Sequence, residues 1–232
     1  MTVSQTIAFL SAIVAFANAV PSAVYHDSQS PFQEHIRVPV ELGVMSRCPD
    51  ALLCESVFDQ VVKQVGPQKV DLSLIYVATL NSTDTEFGIT CMHGPGECAG
   101  NVQQLCVAKY ASPSAWWKFV QCQNSHGRYQ VGIPDLTLQC ARAANIDWEG
   151  SGVASCIGPD VSGKAEEGKE LLRQSALLGK SLGIEKSCTV LINRKKVCVH
   201  DGTWQECDGG HDVEDFVQRI NSEYESLNAG RN

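Results

Sequence analysis

The residues best equipped for chemistry stand in MSRCPDALLCESVF, residues 45–58, where Cys48 precedes Pro49 and Asp50, and Cys54 follows six positions on. Pro49 suits the first position of a helix, which makes Cys48 its N-cap. Unpaired backbone N–H groups and the helix dipole favour negative charge at that point, so a cysteine there is inclined towards its nucleophilic thiolate. The chemistry on offer is thiol–disulfide exchange: attack on a disulfide sulfur, a mixed disulfide, and release by a second thiol. Dithiol oxidoreductases carry that second thiol three residues on, where this chain has Ala51. Cys54 lies about 9 Å further along the helix axis, beyond the roughly 7 Å between Cα atoms that a disulfide tolerates. Either the first turn is unwound or the two cysteines have other partners, and both can also be plain structural staples. Asp50, in the first turn, competes with a thiolate for the same dipole.

The elements that must position these residues follow from periodicity. RVPVELGVMS alternates Val38, Val40, Leu42 and Val44, a period-two strand with Pro39 near its start. The helix opening at Pro49 places Leu52, Leu53, Val57, Phe58, Val61 and Val62 at helical spacing, and VDLSLIYVATL, Val70 to Leu80, is a second strand. Strand, helix, strand at this length implies a parallel pair joined by a right-handed crossover. From residue 83 to 160 the character changes to six cysteines, a Trp116-Trp117 pair and short helical segments such as VQQLCVAKY and SAWWKFVQCQ. The tryptophans read as core and cap of that segment. Beyond it, SGKAEEGKELLRQSALLGKSLGI is a helix ending at a glycine and CTVLINRKKVCVHDGTWQEC gives two short strands, with Arg194, Lys195 and Lys196 at a hairpin tip. DVEDFVQRINSEYESL closes with a helix whose inward face is Val213, Phe216, Val217 and Ile220. The fold class is α/β (α+β): a thioredoxin-like layout with a cysteine-rich helical insertion after the second strand. The parts are 37–82 and 161–228 for the core, and 83–160 for the insertion.

Bulk properties narrow the setting. Of 232 residues, 26 are acidic and 18 basic, a formal net charge of -8, which repels nucleic acid and anionic lipid. Residues 1–19 carry an uncharged apolar run, Ile7 to Phe16, and then Ala17-Asn18-Ala19, the pattern of a cleaved signal peptide. The run is too short to span a bilayer, an uncleaved anchor being the alternative, and no later segment is long and apolar enough to span. Residues 20–36 read as a leader without periodicity. Eleven cysteines agree with an oxidising compartment and leave at least one unpaired. Asn81 heads the sequon NST, an N-glycosylation acceptor.

The most specific pattern is CMHGPGECAGNVQQLC, Cys91 to Cys106. Its cysteine and histidine residues, Cys91, His93, Cys98 and Cys106, offer a zinc-type set, but irregular spacing and an oxidising compartment favour disulfides. His93-Gly94 reads as a turn in which His93 bonds the backbone. The pattern C-x-H-G-x-x-E-C-x-x-N-x-x-x-x-C resembles the signature of the gamma-interferon-inducible lysosomal thiol reductase family. Cys91, His93, Gly94, Glu97, Cys98, Asn101 and Cys106 match every fixed position, and the resemblance runs from about Val38 to Ser226.

The resemblance implies a glycosylated, thioredoxin-fold disulfide reductase of the secretory or endolysosomal route, secreted or in a vacuolar or lysosomal lumen, acting at acidic pH. Its partners would be disulfide-containing proteins or small thiols, with no nucleic acid, no stable membrane insertion after signal removal and no cofactor. The family's nucleophile aligns with Cys48 and its resolving cysteine with Ala51. A second departure stands before the third strand, where Cys188 occupies the place of the fold's cis-proline. Cys91, Cys98, Cys106, Cys122, Cys140 and Cys156 can close three disulfides within the insertion in any of fifteen ways, and Cys198 and Cys207 flank a DG turn and are expected to pair. That leaves Cys48, Cys54 and Cys188 as candidate catalytic residues. A Cys48–Cys188 pair is expected to replace the missing dithiol, with Cys54 as the odd thiol. The competing expectation is a disulfide-stapled scaffold that has lost redox turnover and serves as a binding or structural protein.

Overall fold

The computed structural model describes residues 35–231 and Met1. The predicted signal segment and the leader up to residue 34 lie outside the described residues. Strand β1 (Val38–Val44) runs parallel to β2 (Val70–Tyr76), with Val38 opposite Val70 and Val44 opposite Tyr76. Helix α1 (Pro49–Val65) makes the crossover. Pro49 starts it, its missing N–H costing nothing at the first position, and Gly66 at φ +88° ends it.

The expected strand Val70 to Leu80 is split: β2 stops at Tyr76, and β3 (Thr79–Leu80) turns away to pair with β4 (Ile89–Thr90) in a separate ribbon. Four helices follow: α2 (Pro95–Tyr110), α3 (Pro113–Ser125), α4 (Pro134–Ala143) and α5 (Val153–Ile157). The chain then re-enters the sheet through α6 (Glu166–Ser181), β5 (Thr189–Ile192), β6 (Lys195–Asp201) and β7 (Thr203–Gln205), and ends with α7 (Val213–Leu227).

The main sheet has the order β2-β1-β5-β6-β7, antiparallel from β1 onward. Its last part has three strands where the sequence suggested two, because the chain folds back at Gly202, φ +72°. The basic run sits at a tight hairpin: Asn193 and Arg194, φ +50° and +62°, form the two-residue turn and Lys195 opens β6. Two successive positive φ values give the turn that matches strand twist.

Alternation divides the core. Val38, Val40, Leu42 and Val44 of β1 join Phe58 and Val61 of α1 and Phe216 and Ile220 of α7 in the main cluster. Ile75, Ile184 and Leu191 form a smaller cluster. There Ile184 lies so close over Gly43 that a Cβ at residue 43 would collide with it. The helical segment packs onto the core through α3 against α1 and α2 against α6. Trp117 donates its indole N–H to Asp59 of α1 at 3.1 Å, so that tryptophan ties the helices to the core.

Candidate active site

Cys48 is the N-cap of α1, in extended conformation, its carbonyl accepting the first helical hydrogen bond from Leu52 N–H at 3.1 Å. Its side chain is buried, with the residue 7% exposed. Sγ lies 3.6 Å from the carbonyl oxygen of Ser187 and 3.8 Å from Asp50 Oδ2. The loop before β5 is thereby laid across the mouth of α1, and Met45 N–H donates to Ser187 Oγ at 2.9 Å to hold it. The next residue, Cys188, exchanges backbone hydrogen bonds with His200 of β6, at 3.0 and 2.8 Å. The Ser187–Cys188 peptide is cis, and Cys188 stands directly before β5, where the sequence places it.

The pairing differs from the sequence expectation. Cys188 is bonded to Cys54, with Cα atoms 6.3 Å apart, and Cys48 is the free cysteine among the described residues. The reason lies in α1. The helix is regular from Pro49, so Cys54 falls on the inward face with Ala51 and Phe58, all fully buried. From there it faces the start of β5. Cys48, in the turn ahead of the helix, meets the backbone of residue 187 instead.

The remaining cysteines form the pairs Cys91–Cys98, Cys106–Cys156, Cys122–Cys140 and Cys198–Cys207. Cys91 and Cys98, seven positions apart, close a loop around the start of α2. Several disulfides fit an oxidising compartment.

Asp50 does not stand open to the helix dipole alone. Its Oδ1 accepts from His200 Nδ1 at 2.6 Å and from Gly202 N–H at 2.8 Å, while Oδ2 faces the Cys48 sulfur. The His200 ring is buried and packed edge-on against Trp204, centroids 4.9 Å apart. A cysteine, a carboxylate and an imidazole are thus strung in line. Nothing in the alternation of β6 marks His200, since Val197, Cys198, Val199 and His200 are all buried.

The residues of the Cys91–Cys106 pattern act as a bracket on the turn before Cys48. Asn101 Oδ1 accepts from Ser46 N–H at 3.1 Å, and the fully buried Glu97 accepts from Arg47 N–H at 3.2 Å. Ser46 Oγ donates to the Glu97 carbonyl at 3.2 Å. His93 meets Glu97 Oε2 through Nδ1 at 2.5 Å, a carboxylate partner where a backbone one was expected. Its own N–H donates to Glu97 Oε1 at 3.2 Å. The Arg47 guanidinium grips the Val131 carbonyl at 2.8 and 2.5 Å. Burial pushes that guanidinium below its ordinary range, and Glu97 opposes the shift.

Val131 is followed by Gly132, φ +86°, where a Cβ would collide with the Gly96 carbonyl. Gly132→Ala should therefore cost about 2 kcal/mol, from a left-handed alanine and a backbone collision together. Thermal unfolding of the oxidised protein checks this, and an unchanged midpoint would contradict it.

A second feature, which the sequence pattern did not single out, is Glu55, on the buried face of α1 and 1% exposed. Asn124 Nδ2 donates to its Oε2, while Oε1 has no partner. Burial pushes the carboxyl up to about 7 against the opposing Asn124 hydrogen bond. Burial, and secondarily Glu55, also hold Tyr76 well above its ordinary range. Tyr76 donates to Gln104 at 2.6 Å, Gln104 to Gln123 at 2.9 Å, and Thr137 to Gln103 at 2.7 Å, a buried polar chain through the helical segment. The helical spacing carried a signal: Glu55 stands four residues after Ala51 and three before Phe58, on the apolar face.

Residues 39–144 match the family model described as gamma interferon inducible lysosomal thiol reductase. No curated protein matches the chain. Among solved structures, the chain is similar to the thiol-disulfide exchange protein alpha-DsbA2 of Wolbachia pipientis, with TM-score 0.54 and 12% identity over 80% of this chain and 81% of that one. It is also similar to DsbA of Chlamydia trachomatis, with TM-score 0.52 and 14% identity over 94% and 100%. The reduced disulfide bond oxidoreductase DsbG of Mycobacterium tuberculosis gives TM-score 0.51 and 14% identity over 86% of each chain. At these identities the likeness is one of fold, and the fold is thioredoxin-like, mixed α/β. Among the described residues no helix is long and apolar enough to cross a membrane.

Proposed function

We propose that this chain, with its match to the thiol reductase family over residues 39–144, is a thiol–disulfide oxidoreductase that reduces protein disulfides through Cys48. The observation that carries the reading is a free thiol at the N-terminus of α1, 3.6 Å from the Ser187 carbonyl and next to a closed Cys54–Cys188 disulfide. In the first step the Cys48 thiolate attacks one sulfur of the substrate disulfide. A Cys48–substrate disulfide forms, and the other sulfur leaves as a thiolate that takes up a proton. With Cys54–Cys188 closed, an external small thiol releases the substrate by attacking the mixed disulfide. With that pair reduced, Cys188 is the neighbouring thiol that attacks Cys48 Sγ, releasing substrate and leaving a Cys48–Cys188 bond for the reductant to reopen. Cys54 and Cys188 act in this scheme as a reserve pair, and no cofactor enters it.

The working place we propose is outside the cell or in a vacuolar or lysosomal lumen. Five disulfides, the segment 1–19 and the sequon at Asn81 support it. Asn81 Oδ1 accepts from Thr83 Oγ1 at 2.7 Å and its Nδ2 donates to Thr90 Oγ1 at 2.9 Å, both bonds lying at the surface.

One observation favours a second reading, a stapled scaffold without turnover: Cys48 is 7% exposed and has Ala51 where a resolving thiol belongs. A single measurement separates the two. The protein, expressed through a secretory pathway, is mixed with a small aromatic disulfide, quenched with acid and analysed by mass spectrometry of intact chain and peptides. A mixed disulfide on Cys48 and a glycan on Asn81 are expected. A Cys48 that stays a free thiol after long exposure would establish the scaffold.

A further inference from the structure

We propose that Asp50 is the group that exchanges the proton of Cys48 and that His200 is the positioning residue that holds it, an inference resting on the reductase reading above. A carboxylate in the first turn of a helix, two residues from a thiolate, is at first sight a hindrance. The geometry gives it another part. Both donors to Asp50, His200 Nδ1–H at 2.6 Å and Gly202 N–H at 2.8 Å, arrive on Oδ1. Oδ2 is thereby left facing Cys48 Sγ at 3.8 Å. The carboxylate cannot turn away without losing two hydrogen bonds, one from a ring wedged against Trp204.

The other charged groups around Cys48 are engaged elsewhere. Asp201, beside His200 in β6, is paired with Lys186 at 2.6 Å. His211 lies against Trp204, with centroids 5.8 Å apart. On the other side of Cys48, Arg47 is turned to Val131 and Glu97 to His93. Cys188 and Ser187, from the strand side, bring only a disulfide sulfur, a hydroxyl and backbone.

The step balances without any oxidant. The Cys48 S–H bond breaks with its electron pair left on sulfur, and the proton passes to Asp50 Oδ2. The sulfur attacks a substrate disulfide, one S–S bond forming as the other breaks, and the departing thiolate takes the proton back from Asp50. His200 keeps its Nδ1–H on Oδ1 throughout.

The test uses the oxidised full-length protein, in which Cys48 is the free thiol, so alkylation by iodoacetamide reads that sulfur alone. Its rate from pH 4 to 9 is compared for wild type, Asp50→Asn, Asp50→Glu and His200→Gln, beside reductase turnover of each. A wild-type curve rising in two steps, single-step curves for Asp50→Asn and His200→Gln, and a second step regained in Asp50→Glu are expected. Turnover should fall at least tenfold in kcat for Asp50→Asn with little change in KM. Variants that lose thermal stability but keep the wild-type curve would show a merely structural pair and overturn the proposal. A two-step curve in a wild type with no turnover would uphold the couple and remove the reductase reading. Turnover with a single-step wild-type curve would do the reverse.

Discussion

Cys48→Ser should abolish disulfide reduction above the level of the external reductant, a loss on the order of 10³-fold or more, because a hydroxyl at this position has no thiolate to offer. The substitution is nearly isosteric, and the sulfur's polar contacts, with Ser187 and Asp50, are long, so the fold should persist. Cys54→Ser and Cys188→Ser differ in kind, since each opens the Cys54–Cys188 bond and frees the other partner. In Cys54→Ser the freed Cys188 directly follows Ser187, whose carbonyl lies 3.6 Å from Cys48 Sγ, and the two cysteines should close into the pair that the sequence alone suggested. Such a variant would turn over without help from the Cys54–Cys188 reserve. Cys188→Ser leaves Cys48 and the buried Cys54 apart, and should depend wholly on external thiol. Reductase assays at pH 5 and pH 7 with the three variants check this series. Wild-type turnover in Cys48→Ser would end the proposed mechanism.

The second large effect concerns stability. The Glu55 carboxyl is pushed from 4.5 up to about 7 by burial, so between these values the folded state holds a proton that the unfolded chain releases. The sign follows from linkage: this contribution is fully present below about pH 4.5 and is lost as pH rises through 7. At about 1.4 kcal/mol per unit, the difference amounts to about 3 kcal/mol. Glu55→Gln keeps the neutral form at every pH. It should therefore match wild type near pH 4.5 and exceed it by up to that amount at pH 8, or by roughly 6–12 °C in midpoint. Other carboxylates add their own pH dependence to both proteins, and the difference between the two curves isolates Glu55. Parallel curves would show that Oε1 finds a partner in solution.

Much of the frame is legible in the amino-acid sequence. The alternation from Val38 to Val44, Pro49 at the start of α1 and the apolar face of α7 are local signals, and β1, α1 and α7 form where they say. What stays hidden depends on contacts across long stretches of chain. Cys54–Cys188 spans 134 residues, and only the direction of the α1 face decides which of two neighbouring cysteines reaches β5. The Asp50–His200 pair spans 150 residues and has no periodicity to announce it. β2 ends at Tyr76 although Val77 and Ala78 continue the apolar run, because β1 itself ends at Val44 and the bond from Val77 N–H to the Val44 carbonyl is the last rung between them. The short α5 carries too few residues for a period to show.

The bracket formed by Glu97 and Asn101 limits how the molecule can be cut down. Excising residues 83–160 to obtain a minimal core would strip the acceptors from Ser46 N–H and Arg47 N–H and the donor from Glu55. It would also uncover the face of α1 on which α3 packs. Cys48 would then stand on an unsupported turn, with the Glu55 carboxylate exposed on the same helix. The helical segment is no detachable ornament, and transplanting the site onto another scaffold would mean moving both halves together.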